Sequence, residues 1–211
     1  MTEPEHLPRK RVAILISGRG SNMSALIDAA KQTGFPADIC LVFSNKPEAL
    51  GLATARSHGI SAIGLSHLQF SDRDAFDRAM HAELIAHHIE FICLAGFMRL
   101  LSPWFCTEWV GRMINVHPAL LPSYKGLNTH ARALADGAKI HGCTIHHVTA
   151  EMDVGPIIAQ AAVPVLPNDT AASLGARVLA QEHGLYPVAL AKLLGRAEAD
   201  AAIQTDALRV I

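Results

Sequence analysis

Five short runs, Arg11–Ser17, Asp38–Ser44, Ile60–Leu65, Ile89–Ala95 and Arg112–Val116, are apolar through most of their length instead of alternating apolar with polar. A strand with one wet face alternates; a strand apolar on both sides needs cover on both. Amphipathic stretches lie between the runs: one to about Lys31, then Pro47–His58 and Asp72–His88. The last carries Phe76, Met80, Leu84 and Ile85 at helical spacing. Strands that alternate with helices in this way confine the chain to an α/β domain, with a mostly parallel sheet covered on both faces.

The rhythm changes after Pro118. Thr129–Asp136 reads as a short helix, and Ile140–Thr149 and Ile157–Val165 as two strands joined by a seven-residue link. A link that short predicts an antiparallel addition to the sheet. Thr170–Leu194 reads as a final long helix, with Asp169 or Thr170 as its N-cap. The division expected is a polar extension over 1–10, one domain over 11–195 and an Ala- and charge-rich tail over 196–211. Half of the 211 residues are hydrophobic and 18% are charged, which fits a packed core. A net charge of −1 speaks against a nucleic-acid partner, which needs a basic excess. Cys40, Cys93, Cys106 and Cys143 show no C-x-x-C spacing, and three of them sit in apolar runs, which suits a reducing cytoplasm. Met1–Arg11 lacks the apolar segment of a signal peptide, and the longest apolar stretches are too short to span a bilayer.

Chemistry concentrates in Ile114-Asn115-Val116-His117-Pro118-Ala119-Leu120-Leu121-Pro122. Pro118 ends the strand, and the two-residue period points Asn115 and His117 to one face at its end. An amide beside an imidazole can polarise a carbonyl and move a proton; equally, such a pair can cap a turn and satisfy backbone. Gly18-Arg19-Gly20-Ser21-Asn22 follows the first strand and opens a helix, where free N–H groups suit a phosphate. Met23 replaces the third glycine of a dinucleotide fingerprint and no Gly-Lys-Ser/Thr follows, so the ligand expected is a single monophosphate, unless the segment merely turns.

Asp153, in the link between the late strands, is either a turn residue or a carboxylate that favours the protonated form of His117 and orients it. His141, Cys143 and His147 share a strand face but spread over about 20 Å, too far for one zinc ion, so no metal is expected. His146 and Thr144 share the opposite face and can reach the cleft of His117. His58, His67, His87 and His88 read as surface or helix-end residues. Gly96-Phe97-Met98-Arg99-Leu100-Leu101-Ser102-Pro103 can wall an apolar pocket for a flat ligand, or pack the sheet edge.

Taken in order, six segments resemble the phosphoribosylglycinamide formyltransferases (GAR transformylases) over about Arg11 to Leu194. They are Ile16–Asn22, Val42-Phe43-Ser44-Asn45, Leu94–Ser102, Asn115–Pro122, Asp153-Val154-Gly155-Pro156 and Gln181-Glu182-His183. The resemblance implies a single-domain Rossmann-like formyltransferase fold. It implies the third step of de novo purine biosynthesis, transfer of a formyl group from the co-substrate 10-formyltetrahydrofolate to the amine of glycinamide ribonucleotide. Asn115, His117 and Asp153 then look like the catalytic trio: Asn115 and protonated His117 stabilise the oxyanion, and Asp153 supports the charged ring. Gly20, Ser21 and Asn22, with Leu179, Ala180, Gln181 and Glu182, look like the ribonucleotide side. Arg73, Met98, Arg99, Leu100, Leu101, Asn115 and Thr149, Ala150, Glu151, Met152 and Asp153 look like the folate side. Partners are then small molecules, without metal, membrane or nucleic acid, for a cytoplasmic monomer or homodimer.

One departure is Asn128, where relatives commonly carry histidine; His130 remains. Related enzymes on the same domain, methionyl-tRNA formyltransferase and formyltetrahydrofolate hydrolase, fit less well. The first needs a C-terminal domain and a basic surface, the second an N-terminal domain. A non-catalytic binding module is expected to lack one of the trio.

Overall fold

The computed structural model describes residues 9–195. Seven strands form one sheet: β1 Lys10–Ile16, β2 Ala37–Ser44, β3 Ser61–Gly64, β4 Phe91–Leu94, β5 Met113–His117, β6 Ile140–His147 and β7 Ile157–Pro164. Their order is β3-β2-β1-β4-β5-β6-β7. The first five run parallel, and β6 and β7 are antiparallel additions, as the short link predicts. Six helices connect or cover them: α1 Ser21–Ala30, α2 Leu50–Ser57, α3 Arg73–Ala86, α4 Pro103–Glu108, α5 Thr129–Ala135 and α6 Ala171–Leu193.

The two-residue period of the five parallel strands divides their side chains between two cores, while Cys143 of β6 and Val163 of β7 join a third under α6. Val12, Ile14 and Ile16 of β1, with Ile114 and Val116 of β5, pack under α1, α2 and α6. Ala13 and Leu15 of β1, with Met113 of β5, pack under α3 and α4. Fully buried Tyr186 pins α6 to the sheet, its hydroxyl 3.0 Å from Leu94 O and 3.2 Å from Ile114 O. Burial first, then the neighbouring Cys93, drives this phenol's pKa well above its ordinary range.

Several boundaries move. β1 begins at Lys10, inside the expected extension; residues 1–8 of that extension and the tail 196–211 lie outside the described residues. The second helix starts at Leu50, not Pro47, because Ala49 N donates to Lys46 O in a turn ahead of it. Helix α4, which the reading of the sequence omits, starts at the Ser102-Pro103 pair: Ser102 Oγ accepts from Phe105 N, and proline takes the first helical position. Thr170 caps α6.

Candidate active site

Helix α1 leaves β1 toward one face, whereas β4 leads toward α4 on the other. Their carboxyl ends therefore diverge, and a crevice opens between neighbouring strands where α/β sheets hold ligands. Three segments meet there: the Gly18–Asn22 turn after β1, the Ala95–Ser102 loop after β4, and the end of β5.

Asn115 and His117 stand on the same face of β5 as Met113, beyond the cover of α4. The antiparallel register sets Asn115 opposite His146 and His117 opposite Thr144. His117 is 5% exposed; its Nε2 lies 2.9 Å from Tyr124 O and its Nδ1 3.3 Å from Asp153 Oδ2. Both ring nitrogens thus face oxygens that only accept, and a ring carrying two N–H groups matches both. Asp153 has φ 56, a left-handed conformation that Asp tolerates better than most residues. Its Oδ2 also accepts from Gly126 N at 2.8 Å, fixing the carboxylate from two directions.

The strand pattern allows His146 to face the cleft of His117 and gives it no role. Here its Nδ1 donates to His147 O at 2.9 Å, so the Nε2 of the neutral ring accepts from Asn115 Nδ2 at 3.1 Å. Burial, above the other influences, lowers the pKa of His146, which keeps that ring neutral near pH 7. The network therefore orients the Asn115 amide and leaves its second N–H free. Asp153 Oδ1 lies 3.7 Å from the same His146 nitrogen. Fully buried Thr144 does not line the cleft: its hydroxyl donates to Ala119 O at 2.7 Å and accepts from Leu121 N at 3.0 Å. It fixes the path of the chain after His117.

Gly20 is the N-cap of α1 at φ 76, and Gly18 O accepts from Gly51 N. The turn reaches α6 through Asn22, whose Nδ2 donates to Glu182 Oε2 at 2.6 Å. Glu182 is 6% exposed, and burial raises its carboxyl pKa against the lowering effect of Asn22. Asn22 Oδ1 is buried and has no hydrogen-bond partner among the described residues. Leu179 lies half-buried three residues before Glu182, whereas Ala180 and Gln181 face solvent.

In the Ala95–Ser102 loop, Met98 and Leu100 are 68% and 52% exposed, Leu101 is buried, and the Arg99 guanidinium stacks 4.9 Å from the Phe76 ring centroid. Thr149, Ala150, Glu151 and Met152 are exposed on the link that carries Asp153. Arg73 opens α3 beside Asp72, Asp74 and Pro103, in a surface depression that none of the trio lines. Asn128 is the N-cap of α5 at φ 55 and makes no side-chain cap bond, so its visible contribution is to backbone conformation. Among the described residues, no three His, Cys, Asp or Glu side chains are grouped to hold a metal ion, and no helix is long and apolar enough to cross a membrane.

The formyl transferase family model matches residues 10–190. Phosphoribosylglycinamide formyltransferase of Escherichia coli is 45% identical over 179 residues, covering 85% of this chain and 84% of that protein. The trifunctional purine biosynthetic protein adenosine-3 of Drosophila melanogaster is 50% identical over 188 residues; the chain spans 14% of that longer relative. The crystal structure of phosphoribosylglycinamide formyltransferase from Brucella melitensis superimposes with a TM-score of 0.85 at 53% identity, covering 89% of this chain and 97% of that one.

Proposed function

The chain belongs to the formyl transferase family, and from that premise we propose that it transfers the formyl group of 10-formyltetrahydrofolate to the amine of N1-(5-phosphoribosyl)glycinamide, in de novo purine biosynthesis. The observation that carries the proposal is the convergence of Asn115, His117 and Asp153 at the sheet's carboxyl edge, beside a glycine turn closed by Glu182.

The glycinamide amine attacks the formyl carbon, and the carbonyl oxygen becomes an oxyanion. The free N–H of Asn115 and an N–H of His117 donate to it, each worth about 3 kcal/mol in a site closed to water. Donation by the ring requires the oxyanion to take the place of one present acceptor; Tyr124 O at Nε2 is the neutral one. Asp153 then compensates the charge on the ring. Collapse breaks the bond to the folate nitrogen, which takes a proton while the attacking amine gives one up. The products are the formamide and tetrahydrofolate. Gly20, Ser21 and Asn22 hold the ribose phosphate through backbone N–H groups, and Glu182, with Leu179 beside it, accepts from substrate hydroxyls. Met98 to Leu101, Arg73 and the 149–153 link form the folate side. The reading includes small-molecule partners and a cytoplasmic setting, supported by four unpaired cysteines, whether the chain acts as monomer or homodimer.

Loss of 10-formyltetrahydrofolate absorbance, with and without glycinamide ribonucleotide, tests the proposal. Consumption should need the acceptor, and His117→Ala or Asp153→Ala should lower turnover by about 10²–10⁴-fold while ribonucleotide binding stays nearly intact. Acceptor-independent consumption would make the chain a hydrolase, and no consumption a binding module; either outcome overturns the reading.

A further inference from the structure

Two buried side chains grip the Ala95–Ser102 loop by its backbone, and neither belongs to the trio or to the substrate-facing residues above. Ser17, 8% exposed, accepts from Met98 N at 2.8 Å and donates to Asn45 Oδ1 at 2.6 Å. Asn45, 2% exposed, is thereby tied to the loop as well. At the other end, fully buried Asp77 accepts from Ser102 N through Oδ2 at 2.6 Å. Among the described residues its Oδ1 has no hydrogen-bond partner, and neither does the buried Nε of Arg99. A buried carboxyl held by Ser102 and by the nearby Arg99 charge, with one oxygen still unpaired, costs stability to keep at that place.

Between the two gripped amides, Met98 and Leu100 stand out of the surface. Exposed apolar side chains on an irregular loop hold one position only if the backbone beneath them is fixed. We infer that Ser17 and Asp77 are positioning residues for the formyl donor: they clamp the loop at both ends, so that Met98 and Leu100 meet the flat ring of the folate without first being ordered. The inference rests on the proposed function, because only a folate at this loop gives the clamp a substrate to position. Ser17 also joins the two subsites, because its hydroxyl holds the folate loop while its backbone leads into the Gly18–Asn22 turn. That turn has its own anchor in the Gly51 N to Gly18 O bond, so removing the hydroxyl spares it.

Steady-state KM values for both substrates, measured on wild type, Ser17→Ala, Asp77→Ala and Asp77→Asn, test the clamp. Losing one buried hydrogen bond to the loop should raise the KM for 10-formyltetrahydrofolate about tenfold, with the ribonucleotide KM within about twofold. Asp77→Asn keeps a side-chain oxygen for Ser102 N and should recover most of the loss. Should Asp77→Ala fail to fold, Ser17→Ala and Asp77→Asn still decide. A donor KM unchanged in folded Ser17→Ala, or both KM values rising together, overturns the clamp. A wild type without acceptor-dependent consumption instead removes the proposed function itself.

Discussion

Gly155 tests whether the placement of Asp153 limits turnover. An ideal Cβ at Gly155 would lie 1.8 Å from His147 O and 2.8 Å from His147 C, about 1.2 Å inside the 3.0 Å that real Cβ contacts keep. The obstacle is the backbone of β6, whose His147 N is itself bonded to Pro156 O at 2.9 Å, so it cannot swing aside as a side chain would. In Gly155→Ala the link must therefore move by about an ångström, and Asp153 lies only two residues away. The Asp153–His117 contact is already 3.3 Å, and a further ångström takes it out of hydrogen-bond range. Misplacement on that scale costs about 10²-fold in rate, or about 2.7 kcal/mol of barrier. Overpacking adds about 1–3 kcal/mol of destabilisation, a loss of several degrees in Tm for a domain of this size. The assay is turnover of Gly155→Ala, Asp153→Ala and the double variant at a temperature where all are folded. If Gly155 acts through Asp153, the double variant is no slower than Asp153→Ala alone. Wild-type turnover in folded Gly155→Ala, or additive losses in the double variant, refutes the reasoning.

Gly20→Val should weaken ribonucleotide binding, because φ 76 is strained for a β-branched residue and the Cβ would lie 3.1 Å from Met23 Cε; an unchanged Kd by titration removes the anion-turn assignment. Glu182→Gln should raise Tm at neutral pH. Burial has raised this carboxyl's pKa, so its ionisation works against folding as pH climbs through the folded value, and the amide has nothing to ionise. The same variant should raise the ribonucleotide KM about 10–100-fold, the cost of a lost charge-assisted bond; an unchanged KM separates Glu182 from the substrate. His130, His141, His146 and His183 all have pKa values lowered below 6.5, burial being the first cause in each. Bases of this kind take up protons more readily in the unfolded chain, so the stability they contribute is complete above 6.5 and drains as pH falls below it. Buried Asp77 and Glu182, raised by desolvation, act in the opposite sense but are fewer. Melting curves should show Tm falling as pH drops from about 6.5 to 5.5, and a flat or rising Tm over that range contradicts this balance.

The architecture was legible because it is written in local chemistry. Strands apolar on both faces have one stable surrounding, and the short link after β6 permits only an antiparallel return. The errors arise where capping decides the outcome. Ser102-Pro103 reads as the end of a loop when Pro103 is taken as a breaker, yet a serine cap followed by proline also begins a helix, and it begins α4. Pro47 shows the reverse case: it belongs to a turn, and the helix waits until Leu50. Nothing in either dipeptide separates these outcomes without the core that Phe105 and Cys106 join once α4 forms.

The site divides along a different line. Asn115 and His117 share a strand, so their common face follows from the pleat, and the parity of β6 brings His146 to the same side. The bonds that hold the rest span 25 residues between Asp77 and Ser102, 81 between Ser17 and Met98, and 160 between Asn22 and Glu182. Strand order and helix docking make those pairs, and no local spacing encodes them. What the sequence does carry is the anomaly at one end of each pair. Asp77 falls three residues before Met80 and seven before Leu84, on the apolar stripe of α3; Glu182 falls between Val178 and Tyr186 on that of α6. A carboxylate at a core position is costly unless something distant requires it. Each acid marks a loop that it supports, Asp77 the loop after β4 and Glu182 the turn after β1, before either partner can be named.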